Sequence, residues 1–187
     1  MADESGNSGA EVVAVAASID HRFSKQAAPG ITIIAGLGVQ GDAHAGERVQ
    51  HRSRVAANPD QPNLRQLHLI HAELFDWLET HGFAIGPGML GENIATRGIA
   101  LLDLPLGTLL HIGDDVVLEV TGLRNPCAQI EAFRPGLLSH LARKQPDGAI
   151  ERLAGIMCVA IAGGTVQPGD AIVTGLPEKP HMKLGPV

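Results

Sequence analysis

The sequence predicts a mainly β domain with inserted helices, its short strands wrapping into a barrel-like or strongly bent mixed sheet. Three observations carry this. Glycine (23) and proline (12) make up more than one residue in six of the 187, so regular segments must be short and joined by sharp turns. Small apolar and β-branched runs recur at close spacing, with two or three helical patterns set between them. Regular β-α-β alternation is absent, which disfavours a doubly wound sheet.

Taken in order, MADESGNSGA at 1–10 reads as a polar, acidic, disordered leader, and 11–187 as one domain of ordinary size. EVVAVAASI (11–19) and ITIIA (31–35) are strand patterns separated by a loop. GLGVQGDAHAG (36–46) has four glycines in eleven residues and must be an irregular, backbone-exposing loop. The polar stretch to residue 63, broken by Pro59 and Pro62, is expected to stay irregular. QLHLI (66–70) alternates like a strand. AELFDWLETH (72–81) carries apolar residues at 74, 75, 77 and 78, an amphipathic helix with Gly82 at its C-terminal cap. IGPGMLGENIATRG (85–98) is a second glycine-punctuated loop. Strands follow at 101–110, 116–121, 156–162 and 171–174, with a helix at 137–143.

Charge and composition exclude several functions. The net charge is −6 and aromatic residues are 3% of the chain, so neither the basic excess nor the stacking surface of a nucleic-acid binder is present. The two cysteines, Cys127 and Cys158, cannot build a disulfide framework or a cysteine zinc site. His68 and His71 are three apart, but they straddle a strand end and need not converge on a metal. The N-terminus lacks a basic start and an apolar run, and no stretch of 18 apolar residues occurs, so a cytoplasmic protein without a membrane span is expected.

The residues with most chemistry are Arg124-Asn125-Pro126-Cys127. Asn is a favoured N-cap and Pro a favoured first helical residue, so the spacing predicts a helix continuing as CAQIEAF, with Cys127 in its first turn. The helix N-terminus and Arg124 would both favour a thiolate there. Cys158, inside the apolar GIMCVAIAGG, reads as a core filler. A second concentration is HAGERVQHRSR (44–54), where Arg48, Arg52, Arg54, His44 and His51 are opposed by Glu47 alone. Arginines in that density suit a phosphate or other oxyanion, and the glycines upstream add backbone donors. Lys25 in HRFSK is a further basic candidate. Glu92 and Asn93 are loop polar groups able to face a ligand or to brace a turn.

These pieces together resemble the MOSC family, in its stand-alone bacterial YiiM-like branch. The matching segments are HRFSK (21–25), GVQGDAHAG (38–46), QHRSR (50–54), RQLHLIHAEL (65–74), PGMLGENI (87–94), LPLGTLLHIG (104–113), VTGLRNPC (120–127) and GGTVQPGD (163–170). They run in order across nearly the whole chain. The resemblance implies a MOSC-type β-barrel-like fold with a cleft for the molybdenum cofactor. Cys127 matches the family's cysteine and is expected to be the catalytic residue and the molybdenum ligand. Lys25, His44, Arg48, Arg52, Arg54, Asn93 and Arg124 become candidates for binding the cofactor's pterin and phosphate. The implied activity is reduction of N-hydroxylated compounds such as N-hydroxylaminopurines. No flavin, nicotinamide or iron–sulfur signature is visible and pyridoxal phosphate is not expected, so electrons would come from a separate donor protein. Two-fold dimers being the commonest assembly, a homodimer is a reasonable state, though the sequence shows no interface. Two other readings use the same residues: a sulfur carrier holding a persulfide on Cys127, and a non-catalytic module that stores or delivers the cofactor.

Overall fold

A computed structural model describes residues 9–187, with the side chains of residues 52–54 outside the description. The chain opens with β1 (Glu11–Ala17), β2 (Gln26–Ala28), β3 (Ile31–Ile34) and β4 (Gly38–Val39), followed by α1 (Arg52–Ala57). Next come β5 (Leu67–His71), α2 (Glu73–Thr80), β6 (Ile94–Arg97), a 3₁₀ turn (Leu101–Asp103), β7 (Leu109–Ile112) and β8 (Val116–Leu123). The last third holds α3 (Ala128–Phe133), α4 (Leu137–Leu141), β9 (Ala142–Lys144), β10 (Ile150–Arg152), β11 (Ile156–Ala162), β12 (Gly164–Val166) and β13 (Ile172–Gly175).

Eight strands form one sheet in the order β13-β7-β8-β11-β5-β6-β1-β2. The pairings are antiparallel except β5 with β6, whose connection carries α2. The sheet curls until Glu11 bridges Ala171, where Val12 N–H donates to the Asp170 carbonyl and Ile172 N–H to the Ala10 carbonyl. That single bridge does not close the sheet into a barrel, and the structure is a strongly bent sheet of the kind expected. Ala10, placed in the leader from composition, is buried against the sheet.

The curled face wraps one core, with Leu67, Leu69, Ile94, Leu110, Ile112, Leu118, Val120 and Ile156 wholly or nearly wholly buried. The other face is covered by α2, α3 and α4 over Ile70, Leu74, Leu78, Leu90, Ile130, Leu137 and Leu141. Each such side chain stabilises the fold by about 1.5–3 kcal/mol through apolar burial. Alternation in β8 divides its residues between buried and half-buried, as a period of two requires. β5 sends Leu67 and Leu69 to one core and Ile70 to the other, so it is buried on both faces.

Several sequence expectations need correction. The strand expected at 101–110 starts only at Leu109. Pro105 has no N–H for a ladder, its carbonyl accepts from both the amide and the hydroxyl of Thr108, and Gly107 sits at φ +82°. The helix expected at 137–143 ends at Leu141. Residues 142–144 instead pair with 150–152 as a hairpin, turned through Gln145–Ala149. The segment before residue 63, expected to be irregular, contains α1.

Candidate functional site

β8 pairs with β11 through Leu123 opposite Ile156, and Arg124 N–H then donates to the Gly155 carbonyl at 3.0 Å. That pairing keeps the chain extended to the proline, and a residue before proline is itself disfavoured in helical conformation. The helix therefore starts later than the capping signal predicts. Asn125 is not the cap: its Oδ1 accepts from Arg152 Nε at 3.0 Å. Cys127 occupies the N-cap position, with extended backbone (φ −133°, ψ 172°), and α3 begins at Ala128. Its side chain is exposed, with Gln129 Oε1 at 3.6 Å from Sγ.

Cys127 stands at the rim of a cavity of about 450 Å³. Loop 21–25, the loop carrying His44 and His51, Arg65, His68 of β5, Gly91, Asn93, Met157 of β11 and the start of α3 enclose it. Lys25, His44, Asn93, Arg124 and Cys127, separated by up to 102 positions, all line this one space. Arg48 does not. It is exposed, and its guanidinium pairs with the Asp60 carboxylate. The side chains of Arg52 and Arg54 lie outside the described residues.

Beneath the cavity is a buried charge network. Lys25 Nζ lies 2.8 Å from Asp42 Oδ2, with both side chains almost wholly buried. Asp42 Oδ2 also accepts from Asn93 Nδ2 and the Ser18 amide, each at 3.1 Å. Asp42 Oδ1 accepts from the His44 amide at 3.0 Å and faces His44 Nδ1 at 3.3 Å. Burial alone would raise the Asp42 carboxyl, but the bonds from His44 and the charge of Lys25 hold it well below the usual carboxylate range. Burial pulls Lys25 below the ordinary lysine range, against the attraction of Asp42 and Glu92. Asn93 is fully engaged: besides Asp42, its Nδ2 donates to the Ala16 carbonyl and its Oδ1 accepts from the His68 amide. It braces β1, β5 and the glycine loop together.

The cavity itself is cationic. Burial first, then the charges of Arg65, His44, Lys25 and Arg124, push His51 down to about 3, so it is neutral at neutral pH. Burial and Arg124 also hold His68 well below the ordinary histidine range, and its Nε2 lies 2.7 Å from the Ala154 carbonyl. Arg124 is lowered by burial, against the charges of Cys127 and Glu92. Its Nη1 is buried with no hydrogen-bond partner among the described residues. A buried guanidinium N–H left unpaired is costly, and it marks where an acceptor belongs. His71, three residues from His68, faces a separate groove beside Glu73. No group of three or more His, Cys, Asp or Glu able to hold a bare metal ion occurs among the described residues.

A family model described as the MOSC domain matches residues 38–173. The chain belongs to the MOSC domain family. The matched segment contains His44, Asn93, Arg124 and Cys127, while Lys25 precedes it. A curated relative named "Reductase" from Gibberella moniliformis is 29% identical over 91% of this chain, and the chain spans 28% of that protein's length. Among solved structures, the YuaD protein from Bacillus subtilis superposes with a TM-score of 0.70 at 22% identity, over 90% of this chain and 97% of that one. YiiM from Escherichia coli gives 0.59 at 16% identity, over 92% of this chain and 73% of that one. These similarities support the MOSC fold.

The MOSC family implies the molybdenum cofactor, and the residues present fit it. The unpaired Arg124 Nη1 with buried Lys25 suits an anionic phosphate, and the exposed Cys127 thiol suits a soft metal. Arg65 also lines the cavity and was not among the sequence candidates, although RQLHLIHAEL contains it; His51, singled out within the basic stretch at 44–54, and His68, weighed as a metal ligand, line it as well. Asp42 had a signal in GVQGDAHAG, an acid within a glycine-rich loop, yet its burial depends on partners far along the chain.

Proposed function

We propose that this MOSC protein binds the molybdenum cofactor and reduces N-hydroxylated compounds to amines, with electrons from a separate donor protein. One observation carries the reading: a single cavity joins an exposed thiol, Cys127, to a buried guanidinium with an unpaired N–H, Arg124. The relative named "Reductase" supports the reaction class. When bound, the cofactor supplies the two-electron redox chemistry. Cys127 would hold the metal from the rim of the cavity. Arg124 and Lys25 would bind the phosphate, with Arg65 adding positive charge. Phe23, Met157 and Gly91 also line the cavity and would face the bound ligand. Net reduction of an N–OH group consumes two electrons and two protons and releases water, so the cavity must also admit protons. The two cysteines cannot hold a conventional four-thiolate cluster, which supports a separate electron carrier.

The exposure of Cys127 also suits a persulfide carrier, but such a carrier has little use for a cationic floor. The test is turnover of an N-hydroxylated purine by cofactor-loaded protein with a chemical reductant. Wild type should produce the amine, and Cys127→Ser should lose at least about 100-fold in rate, the scale of a reaction group removed. Persulfide on Cys127 in a molybdenum-free, inactive wild type would replace this reading with the carrier.

A further inference from the structure

We propose that His44, oriented by Asp42, donates the proton that turns the departing hydroxyl of the substrate into water. The inference rests on the reductase reading above. Five hydrogen bonds or ion contacts converge on the Asp42 carboxylate, and both of those at Oδ1 come from His44. The Lys25 pair, Asn93 and Ser18 all use Oδ2, so one oxygen is left entirely to His44. A carboxylate facing Nδ1 selects the tautomer protonated there and leaves Nε2 to exchange protons. Nε2 of His44 has no hydrogen-bond partner among the described residues, and the side chain is 20% exposed where it lines the cavity.

The other histidines around the cavity are occupied or held neutral. The His51 ring packs 4.5 Å from that of His44, centre to centre, and is kept neutral by burial and the surrounding positive charge. His68 is buried and bonded to the Ala154 carbonyl. The His21 ring lies 5.3 Å from His44, and its Nε2 is engaged with the Gln50 carbonyl at 3.0 Å. The charged groups bearing on His44 are Asp42 directly, with Lys25, Arg65 and Arg124 around the same space. Of the four histidines, His44 alone has a carboxylate partner.

The N–O bond of R–NH–OH breaks as two electrons arrive from the donor protein. Nε2–H of His44 goes to the hydroxyl oxygen, giving water, and a solvent proton goes to the nitrogen, giving R–NH₂. His44 then recovers its proton from solvent. Asp42 is a positioning residue and takes no proton.

The experiment has two arms. In cofactor-loaded protein, His44→Gln is compared with wild type for molybdenum content and for kcat from about pH 5 to about pH 9, the range in which histidine exchanges protons. We expect unchanged molybdenum, kcat lower by about 100-fold or more at neutral pH, and loss of the wild-type fall in rate on the alkaline side. An unchanged kcat, or a loss that tracks lost molybdenum, overturns the proposal. In cofactor-free protein, ring ¹⁵N NMR should find His44 protonated at Nδ1 in wild type, with that preference lost in Asp42→Asn. A neutral wild-type His44 that carries its proton at Nε2, with Nδ1 bare, overturns the dyad. If wild type carries molybdenum yet reduces no N-hydroxylated compound while the NMR arm succeeds, the reductase reading fails and the Asp42–His44 geometry stands.

Discussion

Cys158 lies on β11, wholly buried in the curled core opposite Val120, where burial and the charge of Glu119 push its thiol up. Cys127 lies at the cavity rim, exposed. Alkylation of the native protein should therefore modify Cys127 and spare Cys158, with both reacting after unfolding. Mass mapping of the labelled peptides checks this, and labelling of Cys158 in the folded state would contradict the assignment. Cys158→Ala should leave cofactor content unchanged and destabilise by about 1 kcal/mol, the common size for a small core truncation. Cys127, Arg124, Lys25 and His44, which the sequence marks as reactive or basic residues in unusual local settings, all line the one cavity. Asp42 was not legible. An acid between glycines reads as a surface turn, and its burial comes from Ser18, Lys25 and Asn93, contacts 24, 17 and 51 positions away.

The loop from Gly86 to Asn93 shows how an element positions side chains it does not contain. Glu92 is buried, and its carboxylate accepts from the backbone amides of Gly88 and Leu90. Gly88 and Gly91 sit at φ +81° and +82°, where a side chain is strained, and they press against the backbone of loop 21–25. A Cβ on Gly91 would come within 2.5 Å of the Phe23 carbonyl oxygen. Gly91→Ala should accordingly destabilise the protein by about 1–2 kcal/mol from the backbone conformation alone. Displacement of Phe23 and Lys25 should also weaken cofactor retention. Denaturant midpoints and bound pterin check both, and a stable, fully loaded variant would contradict the positioning argument. The strand at Ile156–Ala162 was legible to the residue because a long apolar run between glycines admits little else. The β9–β10 hairpin was hidden by polar residues on both arms. The start of α3 was misplaced because tertiary pairing of β8 with β11 overrides a local capping signal.

At the scale of the molecule, a net charge of −6 conceals a cationic cavity, since Lys25, Arg65 and Arg124 converge there from distant segments. The same field makes stability pH-dependent. His51 and His68 are held below the ordinary histidine value of about 6.5, so the unfolded chain binds protons first as pH falls. Stability is therefore full above about pH 6.5 and declines on acidification, by up to about 1.4 kcal/mol per pH unit for each histidine. Asp42 adds a loss below about pH 4, because its lowered carboxyl stabilises the fold only while the unfolded group is ionised. Glu92, raised by burial, acts in the opposite sense: the fold gains stability as pH falls through its raised value to about 4.5, which partly offsets the histidine loss. The urea midpoint should fall between pH 7 and pH 5, and His51→Asn should flatten the fall. Equal midpoints in wild type would contradict neutral buried histidines.

Whether the cavity holds the cofactor is read from molybdenum and pterin measured together per chain, in protein purified from a host that makes the cofactor. Wild type should carry both in equimolar amount. Cys127→Ser should lose molybdenum, and Arg124→Met should lose pterin by removing the unpaired donor. A wild-type chain that carries neither metal nor pterin would contradict the assignment of this cavity.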